Sequence, residues 1–137
     1  MFKYEAPYEL TKGTEESAGW DLKATEQIQI QPFGNAIIDT GVKLEIQKDC
    51  FALVTLRSGH GFKRDLFCHI GIVDSDYRGT VKVKVFNFSN TFQIIQKDES
   101  FAQFTILHTY MYNEGRDYVE VDTTRGEGGF GSTTIDS

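Results

Sequence analysis

GIVDSDYRGTVKVKVF, residues Gly71 to Phe86, is the stretch on which the reading of this chain turns. Val81, Val83 and Val85 alternate with Lys82 and Lys84, a period of two that marks a strand with one face buried. Ahead of it the short apolar run Ile72-Val73 meets a polar turn, so a β-hairpin is predicted across Gly71–Phe86. A carboxylate at such a rim, Asp74, is held by rigid strands on both sides. Tyr77 adds a flat ring with a polar tip, suited to lying against a sugar or a base. The plainer alternative for the same residues is a turn whose acids bond their own backbone.

The same short period continues outward in both directions. A first strand is predicted within residues 1–11, followed by the polar connection KGTEESAG and a short extended piece, WDLKA. QIQIQ (Gln27 to Gln31) alternates strictly and stops at Pro32. Ala36 to Ile46 is apolar and β-branched with a bend at Thr40-Gly41, and Phe51 to Leu56 is a further strand. After Arg57 one short helical turn is expected. LFCHI leads into the predicted hairpin; TVKVKVFNF, FQII and FAQFTIL follow it, and DYVEV is the expected last strand. About ten short strands with frequent turns and no long 3.6-residue period define an all-β sandwich or barrel. No internal repeat is present.

Length and charge bound the function. A chain of 137 residues makes one domain with a single core. Mean hydropathy of −0.35 without a long apolar run predicts no membrane span. MFKYEAPYEL lacks the basic and apolar regions of an export signal, so the cytoplasm is the expected compartment, or the host-cell cytoplasm or nucleus for a viral source. Acids outnumber bases 20 to 14, and the net charge of −6 argues against a nucleic-acid polymer as partner. A small anion held by a few cations and backbone amides remains compatible with that charge. Cys50 and Cys68 are expected as free thiols. His60 and His108 have no ligand-like spacing to either cysteine, so no zinc site is predicted. Asn87-Phe88-Ser89 matches a glycosylation acceptor but lies in a predicted strand.

Several segments carry chemistry. RSGHG (Arg57 to Gly61) sets a guanidinium, a hydroxyl and two glycines within five residues, as close approach to a phosphate requires. FAQ places Gln103 near a strand start. RGEGGFGST (Arg125 to Thr133) joins an arginine, four glycines and one aromatic, Phe130, in a tail too polar to fold alone. With AGWDLKA (Ala18 to Ala24) and GIVDSDYRG, these pieces resemble, in order and spacing, the five motifs of the trimeric dUTP pyrophosphatases, the dUTPases.

The resemblance spans nearly the whole chain. It implies a distorted jelly roll of the β-clip type, a subunit of a homotrimer, with a β-domain over residues 1–122 and a Gly-rich arm over 123–137 that closes an active site on a neighbouring subunit. It implies hydrolysis of dUTP to dUMP and pyrophosphate, which limits uracil incorporation into DNA and supplies dUMP for thymidylate synthesis. Asp74 is then the general base for in-line attack by water on the α-phosphorus. Main chain around Gly71, Ile72 and Val73, and again near Lys82, faces the uracil edge, and Tyr77 packs on the deoxyribose and rejects a 2′-hydroxyl. Arg57, Ser58, Gly59 and Gln103 hold phosphates. Phe130 stacks on uracil, Arg125 meets the outer phosphates, and Gly131 and Ser132 add phosphate contacts. Mg²⁺ rides on triphosphate oxygens and waters with no direct protein ligand; Asp21 either reaches it through water or ties neighbouring loops together.

The chain departs from the family pattern in three places. Leu56 stands where many members have proline. Phe67, Cys68 and His69 occupy the lead-in to the third motif, where glycine or asparagine is usual, so side chains are expected beside the base pocket. The fourth motif, usually GDRIAQ, is DESFAQ, with Asp98 for glycine and Ser100 for arginine. A dCTP deaminase shares the fold but needs a glutamate near Asp74, and that segment has none. Some viral and phage relatives are nucleotide-switched regulators, so a regulatory protein partner added to catalysis is the other alternative.

Overall fold

The computed structural model describes residues 1–131. Ten strands and one helix make up the regular structure among them: β1 (Phe2–Glu5), β2 (Trp20–Lys23), β3 (Ile28–Ile30), β4 (Asn35–Ile46), β5 (Cys50–Leu56), α1 (Ser58–Arg64), β6 (Leu66–Cys68), β7 (Gly71–Val73), β8 (Thr80–Asn87), β9 (Gln93–Ile95) and β10 (Ser100–His108). All ladders are antiparallel. One sheet has the order β1-β4-β8-β6, the second β2-β10-β5-β7, and β3 pairs with β9 apart from both. The all-β jelly-roll class is therefore correct.

The core lies between the two four-stranded sheets, and alternation decides who enters it. In β8 the valines at 81, 83 and 85 are buried while Lys82 and Lys84 are exposed. β4 does the same with Ile38, Val42, Leu44 and Ile46, and the facing sheet supplies Leu22, Ala52, Val54 and Phe104. Among the described residues two polar side chains are buried, and both are satisfied. Thr40 Oγ1 donates to the Val81 carbonyl at 2.7 Å. Asn87 Nδ2 donates to the carbonyls of Ile30, Gln31 and Thr91, so the amide of the sequon-like triplet is locked inside. An unpaired buried amide costs a few kcal/mol, roughly 1–3, and these bonds avoid that cost.

Three expectations need correction. Gly71–Phe86 is not a hairpin: β7 belongs to one sheet and β8 to the other, so residues 74–79 form a corner between sheets. Alternation could not reveal this, because both strands bury a face in the same core whichever sheet they join. The helical turn after Arg57 is longer than expected, seven residues, and is closed by Asp65 in a left-handed conformation, φ 51°. The predicted last strand DYVEV is absent: residues 110–122 have no ladder and are exposed. A β-like sequence makes a strand only beside a partner edge.

Candidate active site

The corner builds a pocket. Because β7 and β8 diverge into different sheets, neither closes the other's edge. β7 is the outer strand of its sheet and pairs only with β5, Val73 opposite Ala52 and Gly71 opposite Val54. β6 reaches β8 only at Val85 to Asn87, which leaves the Thr80–Lys82 main chain open on that side. Between these free edges lies a cavity of about 220 Å³ lined by Val54, Gly71, Ile72, Val73, Asp74, Tyr77, Thr80, Val81 and Lys82. Six residues predicted for base, sugar and water are thus brought together. A true hairpin would have consumed both edges in its own ladder.

Tyr77 is fixed by the turn it belongs to. Its amide donates to the Asp74 carbonyl at 3.1 Å, and its hydroxyl donates to the Thr80 carbonyl at 2.9 Å. Gly79 makes this possible: a Cβ there would lie 2.6 Å from Tyr77 Cζ. Arg78 Nη1 ties the turn by donating to the Ser75 carbonyl at 2.7 Å. Below it, Asp39 braces the returning strand, accepting from Thr80 Oγ1 at 3.0 Å and from the Gly41 amide at 2.9 Å. Asp39 sits where the β4–β8 register breaks, and Gly41 there has φ 72° with Pro7 packed where its side chain would go. Neither Asp39 nor Gly79 had a role in the sequence reading. The Thr40-Gly41 bend was the one signal for the first.

A second cluster lies at the other end of β5. In the ladders Gln103 stands opposite Asp21 on one side and Thr55 on the other, so these side chains share a face, and Arg57 joins it two residues after Thr55. Arg57 Nε lies 3.4 Å from Asp21 Oδ1, with the carboxylate largely buried at 13% exposure. Gln103 Nε2 donates to Thr55 Oγ1 at 3.4 Å. Gly19, whose part the sequence did not reveal, leaves room for that side chain; a Cβ would sit 2.6 Å from Gln103 Oε1. Ser58 and Gly59 open α1, and the space beside Gly59 is empty to 4 Å.

Glu99 anchors α1. Its Oε2 meets His60 Nε2 at 2.6 Å and Arg64 Nη1 at 2.9 Å, and its Oε1 accepts the Gln96 amide. Partial burial opposes its ionisation, but the His60 bond, the Gln96 amide and the Arg64 charge outweigh it and hold the carboxyl below its ordinary value. The fourth-motif departures now have physical places. Asp98 adopts φ 68°, a conformation that glycine takes freely and aspartate tolerates better than most residues. Ser100 contributes its carbonyl, 3.5 Å from Arg57 Nη1.

The third-motif lead-in stays out of the small pocket. Cys68 is buried in the core, where burial pushes its thiol up and a main-chain bond from Leu56 only partly offsets this. Phe67 points outward against Phe88, and the His69 amide pairs with the Lys84 carbonyl. The side chains expected beside the base are therefore absent from the cavity lining. The arm residues stand away from both clusters: Arg125 Nε donates to the Gly128 carbonyl, and Phe130 is fully exposed at φ 48°. Gly131 is also exposed, φ 86°; Ser132 lies outside the described residues.

Strand pairing also brings together residues that sequence spacing does not connect. The β5–β10 ladder sets His108 opposite Cys50, residues 58 positions apart, and Asp49 completes a cluster with them. No helix among the described residues is long and apolar enough to cross a membrane.

Comparison with known proteins places the chain in a family. The family model described as dUTPase matches residues 8–134. The deoxyuridine 5'-triphosphate nucleotidohydrolase of Escherichia phage T5 is 36% identical over 130 residues, covering 88% of each chain. That of Nautilia profundicola is 39% identical over 126 residues, covering 88% of this chain and 86% of its own. The Staphylococcus bacteriophage 80alpha dUTPase, solved with dUPNHPP, superposes with a TM-score of 0.89 at 22% identity, over 98% of this chain and 99% of that one. With the motif residues gathered at two ends of β5 and the match running almost end to end, the chain belongs to the dUTPase family.

Proposed function

We propose that the protein hydrolyses dUTP to dUMP and pyrophosphate, with the corner pocket as the nucleoside site and Asp74 as the base. The observation that carries this reading is the pocket between two unpaired strand edges, which offers main-chain donors and acceptors to a flat polar base, with Tyr77 and Asp74 on its rim. Strand edges present amides and carbonyls at fixed spacing, so they read hydrogen-bonding edges with little reorganisation. Tyr77 packs on the deoxyribose. Asp74, exposed and preceded by the buried Val73, orients a water and takes its proton as that water attacks the α-phosphorus in line with the departing pyrophosphate.

Arg57, Ser58, Gly59 and Gln103 bind the phosphates. Asp21 keeps the Arg57 fork aimed at them. Mg²⁺ fits as an ion carried by the triphosphate and waters: the one carboxylate at the Arg57 cluster, Asp21, is shared with that guanidinium, which offers a hard oxygen but no cage. When bound, the ion neutralises phosphate charge as the pyrophosphate leaves.

The distance between the two clusters supports a site shared between subunits, as in the homotrimer that the family resemblance implies. Extending the β5–β7 ladder by one residue sets Asp74 beside Phe51, six residues from Arg57, a backbone separation of about 20 Å at about 3.3 Å per residue. A triphosphate does not bridge that gap. The Asp74 pocket of one subunit and the Arg57 cluster of another together make one site. The arm, residues 123–137, then folds over a neighbour's site, bringing Arg125, Phe130, Gly131 and Ser132 to the nucleotide.

The test offers dUTP, dCTP, dTTP and UTP with Mg²⁺ and measures pyrophosphate and ammonia. Pyrophosphate from dUTP well above the other three is expected. Ammonia from dCTP without pyrophosphate from dUTP refutes the reading.

A further inference from the structure

We propose that Asp49, Cys50 and His108 form a binding site for a zinc-class divalent ion, one per chain, at the end of the β5–β10 ladder. Cys50 opens β5 and His108 ends β10; their pairing in register sets imidazole and thiol on the same side of the sheet. Cys50 Sγ lies 4.0 Å from His108 Nδ1 and 3.6 Å from Asp49 Oδ1, and His108 Nε2 lies 3.2 Å from Asp49 Oδ2. One donor atom from each residue falls within 4.8 Å of the other two. Donors around a tetrahedral ion with bonds of about 2.0–2.3 Å stand about 3.3–3.8 Å apart, so a small closure of these side chains suffices.

The donor set selects the metal. Thiolate, imidazole and carboxylate together suit a borderline ion such as Zn²⁺, whereas Mg²⁺ prefers oxygen and water. Three protein ligands leave a fourth position for water, and the exposed His108, 65% accessible, leaves that side open. The outer parts of the site are already ordered. Gln47 Nε2 donates to Asp49 Oδ1 at 2.9 Å, and the Thr109 amide donates to the Asp49 carbonyl at 2.8 Å. The first contact orients the ligating carboxylate before the metal arrives, and the second fixes the main chain that carries it.

Binding is coupled to one proton. A cysteine binds metal as its thiolate, whereas a free thiol is largely protonated at neutral pH. The metal–sulfur bond forms as the S–H bond breaks, and the proton leaves to solvent. Because His108 is the last residue of β10, the ion clamps the point where the chain leaves the sheet for the exposed segment 110–122.

Cobalt reports on this site through its thiolate bond. Full-length, nucleotide-free protein stripped with chelator is titrated with Co²⁺ and then with Zn²⁺. The wild type is expected to take one Co²⁺ per chain with a thiolate-to-cobalt charge-transfer band in the near ultraviolet, which Zn²⁺ displaces. Cys50→Ser should lose the band although Cys68 remains. His108→Asn, an independent variant on the other strand, should weaken binding more than about 100-fold. Melting in chelator checks that each variant folds. No band in the wild type, a band that persists in Cys50→Ser, or unchanged affinity in His108→Asn overturns the proposal.

Discussion

Gly79→Ala tests the Tyr77 platform without touching any group that meets the nucleotide. A Cβ at residue 79 would stand 2.6 Å from Tyr77 Cζ. Carbon atoms in good contact are about 3.5–4.0 Å apart, so the ring must retreat by roughly 1 Å. The hydroxyl now 2.9 Å from the Thr80 carbonyl then falls outside hydrogen-bond range. Loss of that bond costs about 1 kcal/mol of stability, and a 1 Å misplacement at a reacting site costs up to about 100-fold in rate. If the ring is the surface that excludes a 2′-hydroxyl, as proposed, kcat/KM for dUTP should fall while that for UTP falls less or rises. Their ratio is the informative quantity, measured by pyrophosphate release from each nucleotide. Tyr77→Phe removes the hydrogen bond while keeping the ring in place, and should alter the ratio little. A Gly79→Ala enzyme with unchanged discrimination refutes the packing argument.

Three further outcomes are expected. Asp74→Asn should keep affinity for a non-hydrolysable dUTP analogue in calorimetry and lose about 100- to 10,000-fold in kcat; surviving turnover would remove Asp74 as the base. Glu99 has a lowered carboxyl pKa in the folded chain, so its contribution to stability is present above the unfolded value and is lost as pH falls through the folded one; melting curves on the acid side should flatten in Glu99→Gln, and an unchanged profile would contradict the anchoring role. Truncation after Thr124 should leave the melting temperature and the number of subunits per assembly unchanged while sharply reducing turnover; full turnover would show that the arm is not required.

Which parts of the fold were legible depended on how local their causes are. The core face of β8 could be read directly, because alternation of valine and lysine leaves a strand one way to bury itself. The five motifs were legible as a resemblance, and Asp74 and Tyr77 do fall in one small pocket. Gly79 and Gly19 were not, since their purpose is to avoid side chains, Tyr77 and Gln103, that fold onto them. Asp39 looked like one more outward residue of a strand until the broken register below it gave it Thr80 and Gly41 to hold. DYVEV misled because strand propensity is realised only against a free edge.

By itself the sequence determined the all-β class, the buried faces of the strands and the residue types of the site. These depend on period and on chemistry carried within a few residues. Tertiary structure alone decided that Gly71–Phe86 turns a corner and so keeps two strand edges open, and that Asp74 and Arg57 lie at opposite ends of β5. It alone set His108 beside Cys50. The reason is common to all three: pairing between strands is fixed by which edges meet across the core, and no alternation along one strand records its partner.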